Sequence, residues 1–277
     1  MSAAGTSPPS ASIHRLVRAN NAVWAAMYYD ELVDTDDYQL TYMADADAGY
    51  YNCAQAVSRS GPDVLAAVEA FYAARGLPPA VYLDPESAPG LRAQLAAAGY
   101  AEIPGEAENC HLLDLRGPAP DGSPPEAALR LPVERVRAVR LAGPDDPLFP
   151  AFIDVDGTSN ELPDAVRRKL AQNLRARRLP GVEVHCFLAL VDGVPVSSRV
   201  VGFCDGCALY AEGGTLPAYR RLGLYAFLML HGLAFARGRG ARFAFQTAAT
   251  SAHSNPAALK LGFQRVCTRS YWRRSPV

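Results

Sequence analysis

Arg220-Arg221-Leu222-Gly223-Leu224-Tyr225 decides how this chain is read. It follows an apolar run, Ala208 to Leu216, that reads as a strand, and it opens a run, Tyr225 to Arg237, that reads as a helix. The first backbone N–H groups of a helix have no intrahelical acceptor, and the helix dipole adds partial positive charge at that end. Such an end binds anions without any dedicated side chain. Gly223 lets the backbone come close to a phosphate, and Arg220 and Arg221 add charge and fork-shaped donors. The expected ligand is a diphosphate. Two familiar phosphate loops do not fit. The stretch lacks a Gly-Lys-Ser/Thr ending, and it lacks the first glycine of the dinucleotide fingerprint. It also lies late in the chain, not in an opening βαβ unit.

Outward from the loop the pattern stays regular. The helical run is apolar almost all round, as a helix packed on a sheet should be, and Gly238 and Gly240 end it. Ala241 to Ala248 alternates like a strand. Ser251-Ala-His-Ser-Asn255 makes a helix entry, with Pro256 in the first turn of a short helix. That helix closes on Leu261-Gly262-Phe263, and Arg265 to Arg273 is the last strand. Upstream, Glu183 to Val191 and Val194 to Phe203 form a hairpin on Asp192-Gly193, and a second turn, Asp205-Gly206, leads into the strand before the loop.

This order resembles the C-terminal half of the GNAT superfamily of acyl-CoA-dependent N-acyltransferases, whose phosphate loop reads Arg-x-x-Gly-x-Gly/Ala. Arg220 and Gly223 stand in register with that loop, and Tyr225 takes the place of its last small residue. Thr215-Leu216-Pro217-x-Tyr219-Arg220 also resembles the way many such strands enter their loop. The likeness covers residues 130–277. It implies acetyl-CoA, or another acyl-CoA, as cosubstrate and no metal. The residues it assigns to that ligand are Thr215, Leu216, Arg220, Arg221, Leu222, Gly223, Leu224 and Tyr225, with Ser254 and Asn255 at the entry of the short helix.

The chain is long for one such domain, and its 277 residues with 49% apolar content suit two. Gly117-Pro-Ala-Pro-Asp-Gly-Ser-Pro-Pro-Glu126 is the obvious linker. Before it, Asp63 to Arg75 reads as a helix, Pro79 to Asp84 as a strand, Leu91 to Ala98 as a helix closing on Gly99-Tyr100, and Asn109 to Leu115 as a strand. That repeats the order of the second half. The expected fold class is α/β (α+β): two GNAT-like domains in tandem, each a mixed, mostly antiparallel sheet flanked by helices. The expected divisions are a disordered N-terminus over 1–12, a degenerate copy over 13–116, a linker over 117–129 and the acyl-CoA-binding domain over 130–277. The first copy is called degenerate because Val57-Ser-Arg-Ser-Gly-Pro-Asp63 stands where its phosphate loop should be. Pro62 removes a donor there and only one arginine is near. Its role is structural, or to wall one side of the acceptor pocket.

Residues 1–116 carry 6 Lys/Arg against 15 Asp/Glu, and the rest carry 21 against 13. Either surface composition drifts, or the half that holds an anion is basic and the halves attract one another. The basic surplus is too scattered, and too poor in interleaved aromatics, to indicate nucleic acid. No charged start with an apolar core marks a signal peptide, and the longest apolar stretch is far short of the ~20 residues that span a bilayer. No membrane association is expected. Cys204-Asp-Gly-Cys207 brackets a hairpin turn and has no second cysteine pair, so it reads as neither a zinc site nor a disulfide. A cytoplasmic, reduced protein is expected, as monomer or homodimer. Only two lysines, Lys169 and Lys260, stand against many arginines, which points to a GC-rich bacterial genome.

Acyl transfer to an amine needs a polarised thioester carbonyl and a group that takes a proton from the ammonium. In the fold this chain resembles, a bulge before the loop presents a backbone N–H to the carbonyl. Gly213-Gly214 marks either that bulge or a plain twist point. Glu212 lies on the same strand and is either the base or an edge-facing surface group; Tyr210, two residues earlier, should share its face. Many relatives place a tyrosine acid four residues before the Gly-Phe pair, but Ala258 stands there. Ser254 and His253 either replace it or cap the helix. Asp154, Asp156 and Glu161 either receive a cationic acceptor or act as helix caps. The favoured function is an acyl-CoA N-acyltransferase, an acetyltransferase of a small-molecule amine by direct transfer in a ternary complex. The alternatives are a protein N-acetyltransferase and a non-catalytic acyl-CoA-binding or sensor protein.

Overall fold

A computed structural model describes residues 12–46, 51–117 and 124–274. The expectations for residues 1–11 and for the middle of the linker lie outside these residues. The first half contributes α1 (Ile13–Met27), β1 (Glu31–Asp34), β2 (Gln39–Tyr42), β3 (Ala54–Gln55), α2 (Pro62–Ala73), β4 (Ala80–Leu83), α3 (Leu91–Ala97), β5 (Tyr100–Glu102) and β6 (Glu108–Asp114). The second contributes β7 (Val136–Arg140), α4 (Phe149–Ser159), α5 (Asp164–Ala176), β8 (Glu183–Val191), β9 (Val194–Cys204), β10 (Cys207–Thr215), α6 (Leu224–Gly238), β11 (Phe243–Ala249), α7 (Ser254–Lys260) and β12 (Gln264–Arg274).

Local chemistry explains the turns. Asp192 and Gly193 have φ of +50° and +83°, and Asp205 and Gly206 have +53° and +71°. This is the paired left-handed conformation that tight hairpins require. Ser12 starts α1 by accepting the N–H of Arg15. One of the roles that the sequence leaves open for Ser254 is the same capping, on α7. Instead His253 occupies the cap position and no side chain bonds there, because Ser254 is already helical.

The twelve strands form one sheet ordered β1-β2-β3-β4-β12-β6-β11-β10-β9-β8-β7, with β5 also beside β12. Among the described residues, parallel pairing is confined to β3–β4 and β10–β11, each pair joined through a helix. The fold is thus the mixed, mostly antiparallel α/β arrangement that the sequence predicts. What the sequence does not show is an exchange. β6, the last strand of the first half, runs between β11 and β12, pairing Phe243 with Asp114 on one side and Arg269 with Glu108 on the other. The end of β12 pairs in turn with β4 and β5, through Tyr271–Tyr82 and Arg273–Ala101. Each half completes the other's sheet.

Helices cover both faces. On one, α1 of the first half packs with α4 and α5 over Leu188, Val200, Leu209 and Phe245. A side chain at Gly202 of β9 would collide with Val23 of α1, so the glycine sets how closely that helix can lie. On the other face, α6 and α7 cover Val201, Ala208, Tyr210 and Ala244. Acidic groups of the first half meet basic groups of the second: Lys169 bonds Asp30 at 2.6 Å and Asp45 at 2.7 Å, and buried Arg269 bonds Glu108 at 2.5 Å. Arg15 with Asp205 has the reverse polarity.

Candidate active site

β10 and β11 pair only over Cys207–Leu209 against Phe243–Phe245. Where the pairing stops, a cavity of about 290 Å³ opens between Glu212 and Gly213 of β10 and Gln246 of β11, with Ser254 of α7 beside it. Trp24, Tyr82, Glu106 and Glu108 line it from the first half. A slightly larger cavity of about 330 Å³ lies between α5 and the start of β8, at the end of the sheet away from the loop.

A bulge shapes the β10 wall. Tyr210 opposes Val201 and Gly213 opposes Arg199, so three steps on β10 match two on β9. The extra residue falls just before Gly213-Gly214, the pair that marked the expected irregularity. It also corrects the expectation that Tyr210 and Glu212 share a face. Tyr210 packs towards α6 and α7, with Phe263 at 6.1 Å and Gly232 beneath its hydroxyl. Glu212 instead interacts electrostatically with Asp156 of α4 and Tyr28 at the end of α1.

Glu212 and Asp156 form a carboxyl pair. Burial pushes Glu212 up to about 8, and the nearby Asp156 charge adds to this. Burial pushes fully buried Asp156 up to about 6, against the hydrogen bond it accepts from Ser198. Asp156 Oδ1 takes that bond from Ser198 Oγ at 2.8 Å, and Ser198 Oγ accepts the Gly214 N–H at 3.3 Å. Asp156 Oδ2 has no partner among the described residues. Both carboxyls of the pair are thus held above the ordinary carboxylate range. Asp154 and Glu161 do not join it. Both are exposed, because residues 154 and 156 lie on different sides of α4 and Glu161 falls past its end, at φ +55°. The three-acid cluster expected around an acceptor is not formed.

The loop has the geometry of an anion cradle. Arg221 and Gly223 both turn left-handed, with φ of +65° and +85°, which swings successive amides to one side. Among the described residues, no protein group accepts a hydrogen bond from the backbone N–H groups of residues 221–226. Two of the expected loop residues also make contacts within the protein. Arg220 is tied to the scaffold, its Nε donating to the Thr215 carbonyl at 3.1 Å and its Nη2 to the Ser159 carbonyl at 3.3 Å. A Cβ at Gly223 would strike the Ala128 carbonyl, and Arg130 donates its N–H to the Leu222 carbonyl at 3.0 Å. Gly223 is thus bare both for its left-handed φ and because the linker backbone crosses it. Arg221 is exposed beside the free amides. Thr215 is bonded to Ser197, and the Leu216 N–H is bonded to the Val196 carbonyl, which fix the strand end. Leu222 and Leu224 pack into the α6-side core. Asn255 donates to the carbonyls of Ala249, Thr250 and Ala252, holding the turn between β11 and α7.

The corresponding place in the first half is the entry of α2. Gln94 bonds both the N–H and the carbonyl of Gly61 before α2, Pro62 opens the helix, and Arg59 is bonded to Asp37 and Asp63.

Several cavity residues escaped the sequence reading, among them Trp24, Glu108 and Arg199. Arg199 of β9 is 3% exposed, and its guanidinium lies over the Tyr225 ring at 4.3 Å. The available signal is its place as the lone charge in the apolar run Val194-Pro-Val-Ser-Ser-Arg-Val-Val201.

Comparisons with known proteins agree with this geometry. Residues 133–250 match the family model described as an acetyltransferase (GNAT) domain. No curated protein matches the chain. Among solved structures, the chain resembles a GCN5-related N-acetyltransferase from Kribbella flavida (19% identity, TM-score 0.64, 97% of this chain and 98% of that one). It also resembles a tandem GNAT protein from the clavulanic acid biosynthesis pathway (20% identity, TM-score 0.61, 87% and 79%). A third likeness is to a conserved protein of unknown function from Staphylococcus epidermidis (11% identity, TM-score 0.59, 90% and 96%). The acetyltransferase (GNAT) domain matched over residues 133–250, set in this fold, makes the enzyme an acyltransferase.

Proposed function

We propose that the enzyme transfers the acyl group of an acyl-CoA, acetyl-CoA in the simplest case, to the amine of a small molecule by direct transfer in a ternary complex. The observation that carries this reading is the junction of the free amides at residues 221–226 with the cavity where β10 and β11 part. The residues fit the ligand: unpaired donors at a helix start suit a diphosphate, and the strand gap gives the thioester arm a path inward. Bound acyl-CoA supplies the thioester. The chain supplies the rest. The Ala211–Gly213 bulge turns backbone N–H groups out of the ladder, where one can polarise the thioester carbonyl. Glu212 takes the proton of the acceptor ammonium, and a carboxyl raised to about 8 is well matched to that task. The first half, a copy whose helix entry is closed by Gln94 and Pro62, walls the acceptor side. That wall favours a small molecule over a protein segment.

A binding-only protein is favoured by one observation, the buried Ala258 in place of a tyrosine acid. Release of free thiol from acetyl-CoA in the presence of a panel of amines decides between them. Amine-dependent release is expected. CoA binding without release from any amine would support the binding-only reading.

A further inference from the structure

Arg199 has an unusual set of unmade bonds. It is buried, yet its Nε and Nη2 have no partner among the described residues. Its remaining nitrogen, Nη1, reaches the Glu212 carbonyl oxygen at 3.5 Å. The two free nitrogens are the side-on edge of the guanidinium, from which two N–H bonds point in parallel. That edge matches the two oxygens of one carboxylate. Arg199 lines the cavity between β10 and β11, and these two nitrogens are buried in its wall.

The edge is held in place rather than left over. The Tyr225 ring supports one side of the guanidinium at 4.3 Å. On the other side is the bare Gly213, where a Cβ would lie 2.7 Å from Arg199 Cζ and 2.8 Å from its Nε. A bulge glycine and an aromatic residue, at the loop position where a small residue is usual in the resembled family, thus make a slot for one planar cation. Glu212 and Asp156 are near enough to balance the charge, but neither bonds the edge. Asp156 is bonded to Ser198, and Glu212 faces the Gly213 N–H. A buried guanidinium with two unmade bonds is costly unless a ligand completes them.

We propose that the Nε–Nη2 edge of Arg199 is a carboxylate-binding site inside the catalytic cavity, so that one of the two substrates carries a carboxylate close to its reacting atoms. The proposal rests on the acyl-transfer reading. The carboxylate has two possible sources. An α-amino acid acceptor would place its ammonium towards Glu212 and its carboxylate on Arg199. A dicarboxylic monoacyl-CoA would bring the carboxylate on the acyl chain.

Matched substrates separate these sources on the wild-type enzyme. One arm measures thiol release from acetyl-CoA with α-amino acids against their carboxamides. The other compares succinyl-CoA with butyryl-CoA on the best amine. One arm should show a preference of about 10-fold or more in kcat/KM for the carboxylate. Arg199→Lys keeps the charge but loses the fork, and should cut that preference to about threefold or less, mainly through KM. Arg199→Met, similar in length and apolar, should abolish it. Equal use of the matched partners in both arms overturns the proposal without any variant. So does a preference that survives both substitutions. Equal kcat losses on every substrate would assign Arg199 to the reaction's oxyanion instead. If no pair releases thiol, the acyl-transfer reading has failed. Calorimetry of succinyl-CoA against butyryl-CoA, and of an N-acetyl amino acid against its amide, then judges the edge alone, and no selectivity there overturns it.

Discussion

In the acyl-transfer reading, Glu212 is the side chain that takes the proton of the acceptor ammonium. Its replacement by Gln should lower the rate at neutral pH by ~10²–10⁴, the range for loss of a general base. The deficit should shrink as pH rises towards the ~10.4 of an alkyl ammonium, because more acceptor arrives as free amine. Initial rates from pH 6 to 10 check this, and parallel profiles for the two enzymes would show that another group takes the proton. The same carboxyl makes a stability prediction. It titrates near 8 in the folded chain and near ~4.3 when unfolded. Between those values the folded form binds more protons, so Glu212 costs stability progressively as pH rises through that window. Glu212→Gln should therefore gain in melting temperature relative to wild type between pH 5 and pH 8.5. A constant difference would mean that the carboxyl ionises without hindrance. Little of this was legible from sequence. The position of Glu212 on the strand before the loop was readable, but its face was not. One extra residue in the bulge turns it from Tyr210 towards Asp156. Arg199 was passed over because an isolated charge in an apolar strand does not say what slot receives it.

The elements themselves were mostly readable. The hairpin on Asp192-Gly193, the strand–loop–helix at Gly223 and the Gly-aromatic closures all follow from turn chemistry and apolar period, which are local. Contacts between elements were not local and were missed. The acidic residues near α4 looked like one cluster in sequence, but helical rotation sends Asp154 outward and Asp156 inward. Gly223 reads as a phosphate glycine, and contacts that the sequence does not show, with the linker at Ala128, also require it bare, beside its left-handed φ. A substitution at Gly223 would therefore disturb the linker as well as any ligand. Arg221 is the cleaner probe, since Asp tolerates a left-handed backbone better than most residues. Arg221→Asp should weaken CoA binding by about tenfold or more while leaving the melting temperature near wild type, as calorimetry and thermal melts would show. Unchanged affinity would place the diphosphate elsewhere. At the α1–β9 contact, Gly202→Leu should destabilise the fold by about 1–3 kcal/mol, because the new side chain meets Val23. Urea denaturation measures it, and a neutral result would mean that α1 lies less closely on the sheet.

At the scale of the whole molecule, the exchange of last strands makes the two halves one structure. A run such as Asn109 to Leu115 announces a buried strand without naming its neighbours, which is why the tandem order was legible and the exchange was not. Residues 124–277 produced alone would lose β6 from between β11 and β12 and α1 from the sheet face. They should fail to show a cooperative melt until residues 1–117 are supplied; a cooperative melt of the isolated fragment would contradict that interdependence. The same interlocking brings Trp24, Tyr82, Glu106 and Glu108 of the first half into the cavity beside Glu212. The central claim is that one acyl-CoA binds per chain, with its diphosphate on the amides of residues 221–226 and its thioester arm between β10 and β11. A crystal structure of the full chain with CoA tests it most directly. The predicted result is a single CoA, its diphosphate on those amides and its sulfur in the cavity lined by Glu212 and Arg199. CoA seated instead at the entry of α2, or in the cavity between α5 and β8, would contradict it.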